Sequence, residues 1–168
     1  MIHVCSLARL HSTVKTTGAR HIVTLINADT PVERPQSVAA ADHLFLGFND
    51  IIEPMEGMTP PAPEHVEALL GFVGRWERTS PIVIHCFAGI SRSTAAAFIT
   101  ACALTPERDE AEIANRLRAA SPSATPNALL VRYADEQLGR NGRMVRAIDA
   151  IGRGRTAFEG TPFRLDIA

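Results

Sequence analysis

Lysine is almost missing from this chain: Lys15 is the only one among 17 basic residues. Cysteine is scarce as well, with Cys5, Cys86 and Cys102. An odd count without close spacing argues against a disulfide framework and points to a reducing, cytosolic setting. The six histidines are scattered at positions 3, 11, 21, 43, 65 and 85, and only His85 adjoins a cysteine. Adjacent residues rarely ligate one metal, so no metal site is expected. No apolar run approaches the length of a membrane span, and the opening "MIHVCSLARLHSTV" lacks the charged and apolar regions of a leader. The net charge of −1 gives no bulk argument for a nucleic-acid or membrane partner. There is no internal repeat, low-complexity tract or linker, and 168 residues fit a single domain spanning 1–168.

Charge is unevenly placed. Residues 41–60 carry Asp42, Asp50, Glu53 and Glu56 and no Lys or Arg, whereas the tail beyond Leu138 is rich in arginine. Arg140, Arg143 and Arg146 fit one solvated helix face.

The elements follow from pattern. "IHVC" reads as a strand, and Leu7, Leu10 and Val14 have helical spacing closed by Gly18. "HIVTLIN" and "HLFLGFND" read as strands, the second ending near Asn49 and Asp50. "IIEPMEGMTPPAP" is too rich in Pro and Gly for regular structure and forms a long loop. Val66, Leu69, Leu70, Val73 and Trp76 share a helical face. "PIVIH" is a continuous apolar run, as in a strand buried on both faces. "SRSTAAAFITACAL" is a buried helix of small residues. Thr105-Pro106 and Thr125-Pro126 each read as a cap and first residue of a further helix. A short last helix, "RMVRAIDAIG", follows Asn141-Gly142. The tail from Arg153 gives no clear pattern. Early alternation followed by helices predicts an α/β sheet with helices on its faces, the late ones bundled on one side.

Chemistry concentrates in "HCFAGISRS". A strand delivers His85, the loop runs Cys86, Phe87, Ala88, Gly89, Ile90 and Ser91, and Arg92 and Ser93 open a helix. Such a turn directs successive backbone N–H groups at an anion, and the helix N-terminus adds partial positive charge. Gly89 permits a positive φ or a close backbone approach. Arg92 can clamp two oxygens of a phosphate in a bidentate fork. The same surroundings favour a thiolate, so nucleophile and target share one cradle. Ser93 is placed to donate a hydrogen bond to the sulfur, and His85 to fix the loop.

"HCFAGISRS" resembles the His-Cys-x5-Arg-Ser/Thr signature of the cysteine-dependent protein tyrosine phosphatases. The short chain is most similar to their dual-specificity branch. The resemblance implies a mixed, largely parallel central sheet flanked by helices, no cofactor, and hydrolysis through a cysteinyl-phosphate. It also implies an aspartate general acid on an upstream loop, a position Asp50 occupies, with Glu53 and Glu56 as fallbacks. "TPNALL" resembles the family's Pro-Asn helix start, which would make Asn127 a brace for the phosphate loop.

The departures matter. The aspartate loop reads "FNDIIEP" without a Trp-Pro-Asp triplet, and no segment matches the recognition element of tyrosine-specific members. Loop lysines of the phosphoinositide type are absent. The expected substrate is a phosphorylated protein or another phosphomonoester. An RNA 5′-phosphatase, a phosphoinositide phosphatase, sulfur or arsenate chemistry in the same loop, and a non-catalytic phosphate-binding module stay open as alternatives.

Overall fold

The computed structural model describes residues 1–167. Five strands form one sheet: β1 (Ile2–Ser6), β2 (His21–Ile26), β3 (His43–Gly47), β4 (Ile82–Cys86) and β5 (Phe163–Leu165), in the order β3-β2-β4-β1-β5. β1, β2, β3 and β4 run parallel, and β5 lies antiparallel along β1. The sheet is therefore mixed and largely parallel, as the resemblance implies. The described residues also form six α-helices: α1 (Leu10–Thr17), α2 (Pro63–Arg75), α3 (Arg92–Leu104), α4 (Glu110–Ala120), α5 (Ala128–Gln137) and α6 (Arg143–Ile151).

Strand alternation divides the core. Ile2, Val4, Val23, Leu25, Ile82 and Ile84 face α2 to α6 in one large apolar cluster. Cys5, Ile22 and Val83 face the other way, onto Leu10 and Val14 of α1. This period-2 division is what a sheet covered on both faces requires. α3 has apolar or small residues all round because it is enclosed on every side. Residues from Arg92 to Cys102 are all buried, between the sheet and α2, α4 and α5. A helix with no polar face is stable only in such a place.

β4 lies between β1 and β2, and all parallel strands end on one side. Open parallel sheets bind ligands at the carboxyl ends of their strands. Here that edge gathers Ser6 at the end of β1, Asn27 after β2, Phe48 after β3 and Cys86 at the end of β4.

Several local expectations change. β3 stops at Gly47 rather than near Asn49–Asp50, because the chain turns off the sheet once Phe48 N–H has bonded Ile26 O. α4 does not start from Thr105-Pro106. The Thr105 hydroxyl bonds back to Ala101 O at the end of α3, and Asp109 caps α4 by accepting from the N–H groups of Ala111 and Glu112. α5 likewise starts one residue after Asn127, whose side chain caps it, rather than at Pro126. A carboxylate or amide oxygen reaches the first free N–H groups better than a threonine hydroxyl further upstream. The tail holds the fifth strand, too short to give a pattern.

Candidate functional site

Cys86 is buried at the end of β4, with 2 % of its surface exposed. Its Sγ lies 3.0 Å from Ser93 Oγ and accepts from the Gly89 N–H at 3.3 Å. The loop is held from outside through its carbonyls. Cys86 O accepts from His85 Nδ1 at 3.2 Å, and Phe87 O from Leu7 N–H at 3.1 Å. Ala88 O accepts from Gly160 N–H at 2.8 Å. Ile90 O accepts from Thr125 N–H at 2.9 Å and from the Thr94 hydroxyl at 2.6 Å. Ser91 O accepts from Asn127 N–H at 3.2 Å.

These bonds have one consequence. In a planar trans peptide, C=O and the following N–H point in opposite directions. A carbonyl anchored outward therefore turns the next N–H inward. The Gly89 N–H on the sulfur is the visible case, following the outward carbonyl of Ala88. The loop presents N–H dipoles to its centre and oxygen to the surrounding protein, as an anion cradle requires.

Gly89 is fixed by two constraints. Its φ of +74° suits glycine, and a Cβ there would lie 2.9 Å from both Cys5 C and Ser6 N on β1. Gly160 is as tightly placed, since a Cβ would meet Gly89 O at 2.6 Å. Gly160 sits on a strap, residues 152–162, that runs from α6 to β5 along the loop. The Glu159 carboxylate accepts from Ser6 Oγ at 2.5 Å and lies 4.0 Å from Arg9 Nε. Arg155 N–H bonds Pro122 O, and Gly154 N–H bonds Thr125 Oγ1.

Arg92 is only 7 % exposed. Its Nη1 donates to Asn27 Oδ1 and to Phe48 O, both at 2.8 Å. Its Nε is buried and has no partner among the described residues. A buried guanidinium N–H without an acceptor is costly, and an oxyanion in the cradle is the acceptor that chemistry would supply.

Asp50 is exposed on the loop after β3. Its Oδ1 accepts from Ser91 Oγ at 2.7 Å and from Asn127 Nδ2 at 2.9 Å. Asn127 also donates to Ile51 O, while its Oδ1 caps α5 by accepting from Leu129 and Leu130 N–H. One side chain thus joins the start of α5 to the aspartate loop. An open cavity of about 740 Å³ lies beside this junction, and its lining includes Asp50, Ile52, Glu53, Met55, Ser91 and Asn127. Ile52 and Met55 are exposed apolar side chains in that lining, and Phe87 is exposed on the Cys86 loop.

His85 is fully buried, and its Nε2 lies 2.7 Å from Thr24 Oγ1. Burial pulls its pKa down to about 4, against the hydrogen bond to Cys86 O. Burial pushes the thiols of Cys5 and Cys102 up to about 12. No cluster of three or more His, Cys, Asp or Glu able to hold a metal ion occurs among the described residues.

The structure brings Cys86, Phe87, Ala88, Gly89, Ile90, Ser91, Arg92 and Ser93 into one turn, with Asp50, His85 and Asn127 around it. Glu53 lines the neighbouring cavity, and Glu56 is exposed further along the same loop. Sequence reading did not find Asn27, Thr24, Glu159 or Gly160. Asn27 stands where β2 ends, a place that points to the ligand edge. Nothing local marks Glu159 or Gly160, whose partners lie more than 70 residues away.

A protein-tyrosine phosphatase family model matches residues 54–125, a span that holds the signature loop and stops short of Asp50 and Asn127. No curated protein matches the sequence. Solved structures share the architecture. DUSP15 aligns with a TM-score of 0.65 and 17% identity over 94% of each chain. The PTP-2 phosphatase of Cydia pomonella aligns with a TM-score of 0.63 and 19% identity, over 80% of this chain and 84% of its own. PTPMT1, solved in complex with PI(5)P, aligns at 0.57 and 14% identity, over 84% of this chain and 94% of its own. The chain has the fold of the protein tyrosine phosphatases, and the solved structures that share it include dual-specificity phosphatases. Among the described residues no helix is long and apolar enough to cross a membrane.

Proposed function

We propose that this chain is a cysteine-dependent phosphatase whose substrates are phosphomonoesters on protein side chains. The reading rests on one observation above the rest. The Cys86 sulfur sits inside a ring of outward-anchored carbonyls, with Asp50 tied to the rim of the same ring. The phosphatase fold supports it.

In this reading the substrate phosphate enters the cradle and Arg92 binds two of its oxygens. The Cys86 thiolate attacks phosphorus in line with the ester oxygen. The S–P bond forms, the P–O bond breaks, and Asp50 delivers a proton to the leaving oxygen. Water then attacks the cysteinyl-phosphate, with the Asp50 carboxylate taking its proton. The S–P bond breaks and phosphate departs. Ser93, 3.0 Å from the sulfur, steadies the thiolate as it leaves. Every group used is a side chain or backbone N–H, so the scheme needs no cofactor.

PTPMT1 prompts a second reading, in which the substrate is a phosphoinositide. The loop positions Phe87, Ala88, Ile90 and Ser91 offer no lysine to a highly charged headgroup, and the acids Asp50 and Glu53 line the adjoining cavity. Phosphoprotein is therefore preferred.

The test uses two variants. Cys86→Ser is expected to abolish turnover of both p-nitrophenyl phosphate and a phosphotyrosine peptide while retaining phosphopeptide binding. Asp50→Ala is expected to slow the peptide, a poor leaving group, far more than the nitrophenyl ester. Equal losses on both substrates would mean that the acid lies elsewhere. Faster release from a phosphoinositide than from phosphopeptides would favour the second reading.

A further inference from the structure

Behind the loop, on the α1 side of the sheet, three polar side chains form a line that the proposed mechanism does not use. His43 Nε2 lies 2.7 Å from Thr24 Oγ1, Thr24 Oγ1 lies 2.7 Å from His85 Nε2, and His85 Nδ1 lies 3.2 Å from Cys86 O. They come from β3, β2 and β4, three adjacent strands. Thr24 and His85 are fully buried, so each polar atom must find its partner within this line.

Counting protons leaves one arrangement. Cys86 O can only accept, so His85 Nδ1 carries a hydrogen. Burial holds the imidazole neutral at pH 7, with its pKa at about 4, so that hydrogen is its only one and Nε2 is bare. The Thr24 hydroxyl must then donate to His85 Nε2. A hydroxyl has a single proton, so towards His43 it can only accept, and His43 is the Nε2–H donor. The chain runs one way: His43 Nε2–H to Thr24 Oγ1–H to His85 Nε2, and His85 Nδ1–H to Cys86 O.

We infer that Thr24 and His43 are positioning residues for the nucleophile: they fix the tautomer of His85 and thereby anchor the carbonyl of Cys86 outward. The reason is the same peptide geometry that governs the rest of the loop. An anchored Cys86 carbonyl aims the Phe87 N–H into the cradle and keeps its own oxygen away from the anion. If His85 took the other tautomer, a bare Nδ1 would face Cys86 O, two acceptors in contact. The peptide would be pushed to rotate at the residue that carries the sulfur. Neither Thr24 nor His43 touches substrate in this account.

The inference rests on the phosphatase reading for its effect on rate, but not for its effect on the imidazole, so the experiment has two readouts. The first is the tautomer of His85 from long-range proton–nitrogen correlation in nitrogen-15-labelled protein. The second is kcat and KM for p-nitrophenyl phosphate. Wild type is expected to show the Nδ1–H form. Thr24→Val, which keeps the shape and removes both hydrogen bonds, is expected to move His85 toward the Nε2–H form. It should lower kcat about fivefold, the effect of one ordinary hydrogen bond, with KM little changed. Thr24→Ser, which retains a hydroxyl, should restore the wild-type tautomer and most of the rate. His43→Phe, at a half-buried and more forgiving position, should give a smaller shift of both readouts in the same direction. A wild-type Nε2–H tautomer would overturn the inference, as would a Thr24→Val protein with wild-type tautomer and kcat. Absence of any wild-type turnover would instead overturn the phosphatase reading, while the nitrogen spectra would still decide the direction of the chain.

Discussion

Ser91 donates its hydroxyl proton to Asp50 Oδ1 at 2.7 Å, joining the loop that follows Cys86 to a residue 41 positions earlier. The Asn127 amide donates to the same oxygen from the far side, at 2.9 Å. The aspartate loop is thus docked on the cradle by two side chains that belong to the cradle and its neighbouring helix.

Asn127 has two separable tasks, and two substitutions divide them. Asn127→Asp keeps an oxygen to cap α5 but loses the donor to Asp50 and adds a like charge. It should fold with near wild-type stability and lose activity on phosphopeptides. Asn127→Ala loses both tasks, and should cost about 1 kcal/mol of stability for the missing cap as well as activity. Urea unfolding alongside kinetics checks the pair. Equal stability losses in the two variants would show that the cap is not the stabilising element.

The strap makes a sharper claim. A Cβ at Gly160 would meet Gly89 O at 2.6 Å, so Gly160→Ala must displace either the strap or the loop. Overpacking of this kind costs on the order of 1–3 kcal/mol. Inhibition by inorganic phosphate or vanadate, which reads the cradle directly, should weaken roughly tenfold. Unchanged inhibition constants would show that the strap lies beside the loop without shaping it.

Acid should destabilise the fold through buried His85 and three half-buried histidines. His85 has a pKa of about 4 in the folded chain against an ordinary value of 6.5. Between these values the unfolded chain binds a proton that the folded chain refuses, so stability rises with pH there. The contribution is fully present above pH 6.5 and is lost as pH falls toward 4, reaching about 3 kcal/mol for this residue. Burial lowers the pKa values of His3, His43 and His65 as well, which adds to the slope in the same sense. Unfolding free energies measured from pH 7 to pH 4 check this, and a flat profile would contradict it.

Thiol reactivity should single out one cysteine. Cys5 and Cys102 are buried, with pKa values pushed up to about 12, and so remain protonated thiols near neutral pH. Brief treatment of the folded protein with iodoacetate should modify Cys86 alone and abolish activity. Protection by inorganic phosphate should accompany it. Early labelling of Cys5 or Cys102, seen by peptide mass spectrometry, would show that the core around them opens.

The legible part of this protein is what short-range rules dictate. Ile82 to Ile84 announce a buried strand, Ala95 to Ile99 an enclosed helix, and Cys86 to Ser93 a complete cradle within eight residues. The place of Asp50 on the loop after β3 was legible because a strand run followed by a Pro/Gly-rich stretch is a recognisable setting. The helix starts were misplaced because a Thr-Pro pair suits a cap in isolation, while Asp109 and Asn127 compete better once the preceding turns are in place. What no local pattern could reveal is what holds the cradle open. Leu7, Gly160, Thr125 and Asn127 act through backbone N–H groups, which carry no residue signature. Thr24 and His43 look like ordinary strand residues until β2, β3 and β4 are laid side by side.

In the proposed mechanism Cys86 becomes phosphorylated on sulfur during turnover. The most direct measurement is rapid acid quench of wild-type protein turning over p-nitrophenyl phosphate, followed by peptide mass spectrometry of the segment from Ile82 to Arg92. A phosphate adduct on Cys86 is expected in the wild type and absent in Cys86→Ser, together with loss of turnover in that variant. Sustained turnover by Cys86→Ser, or phosphate found on another residue, would contradict it.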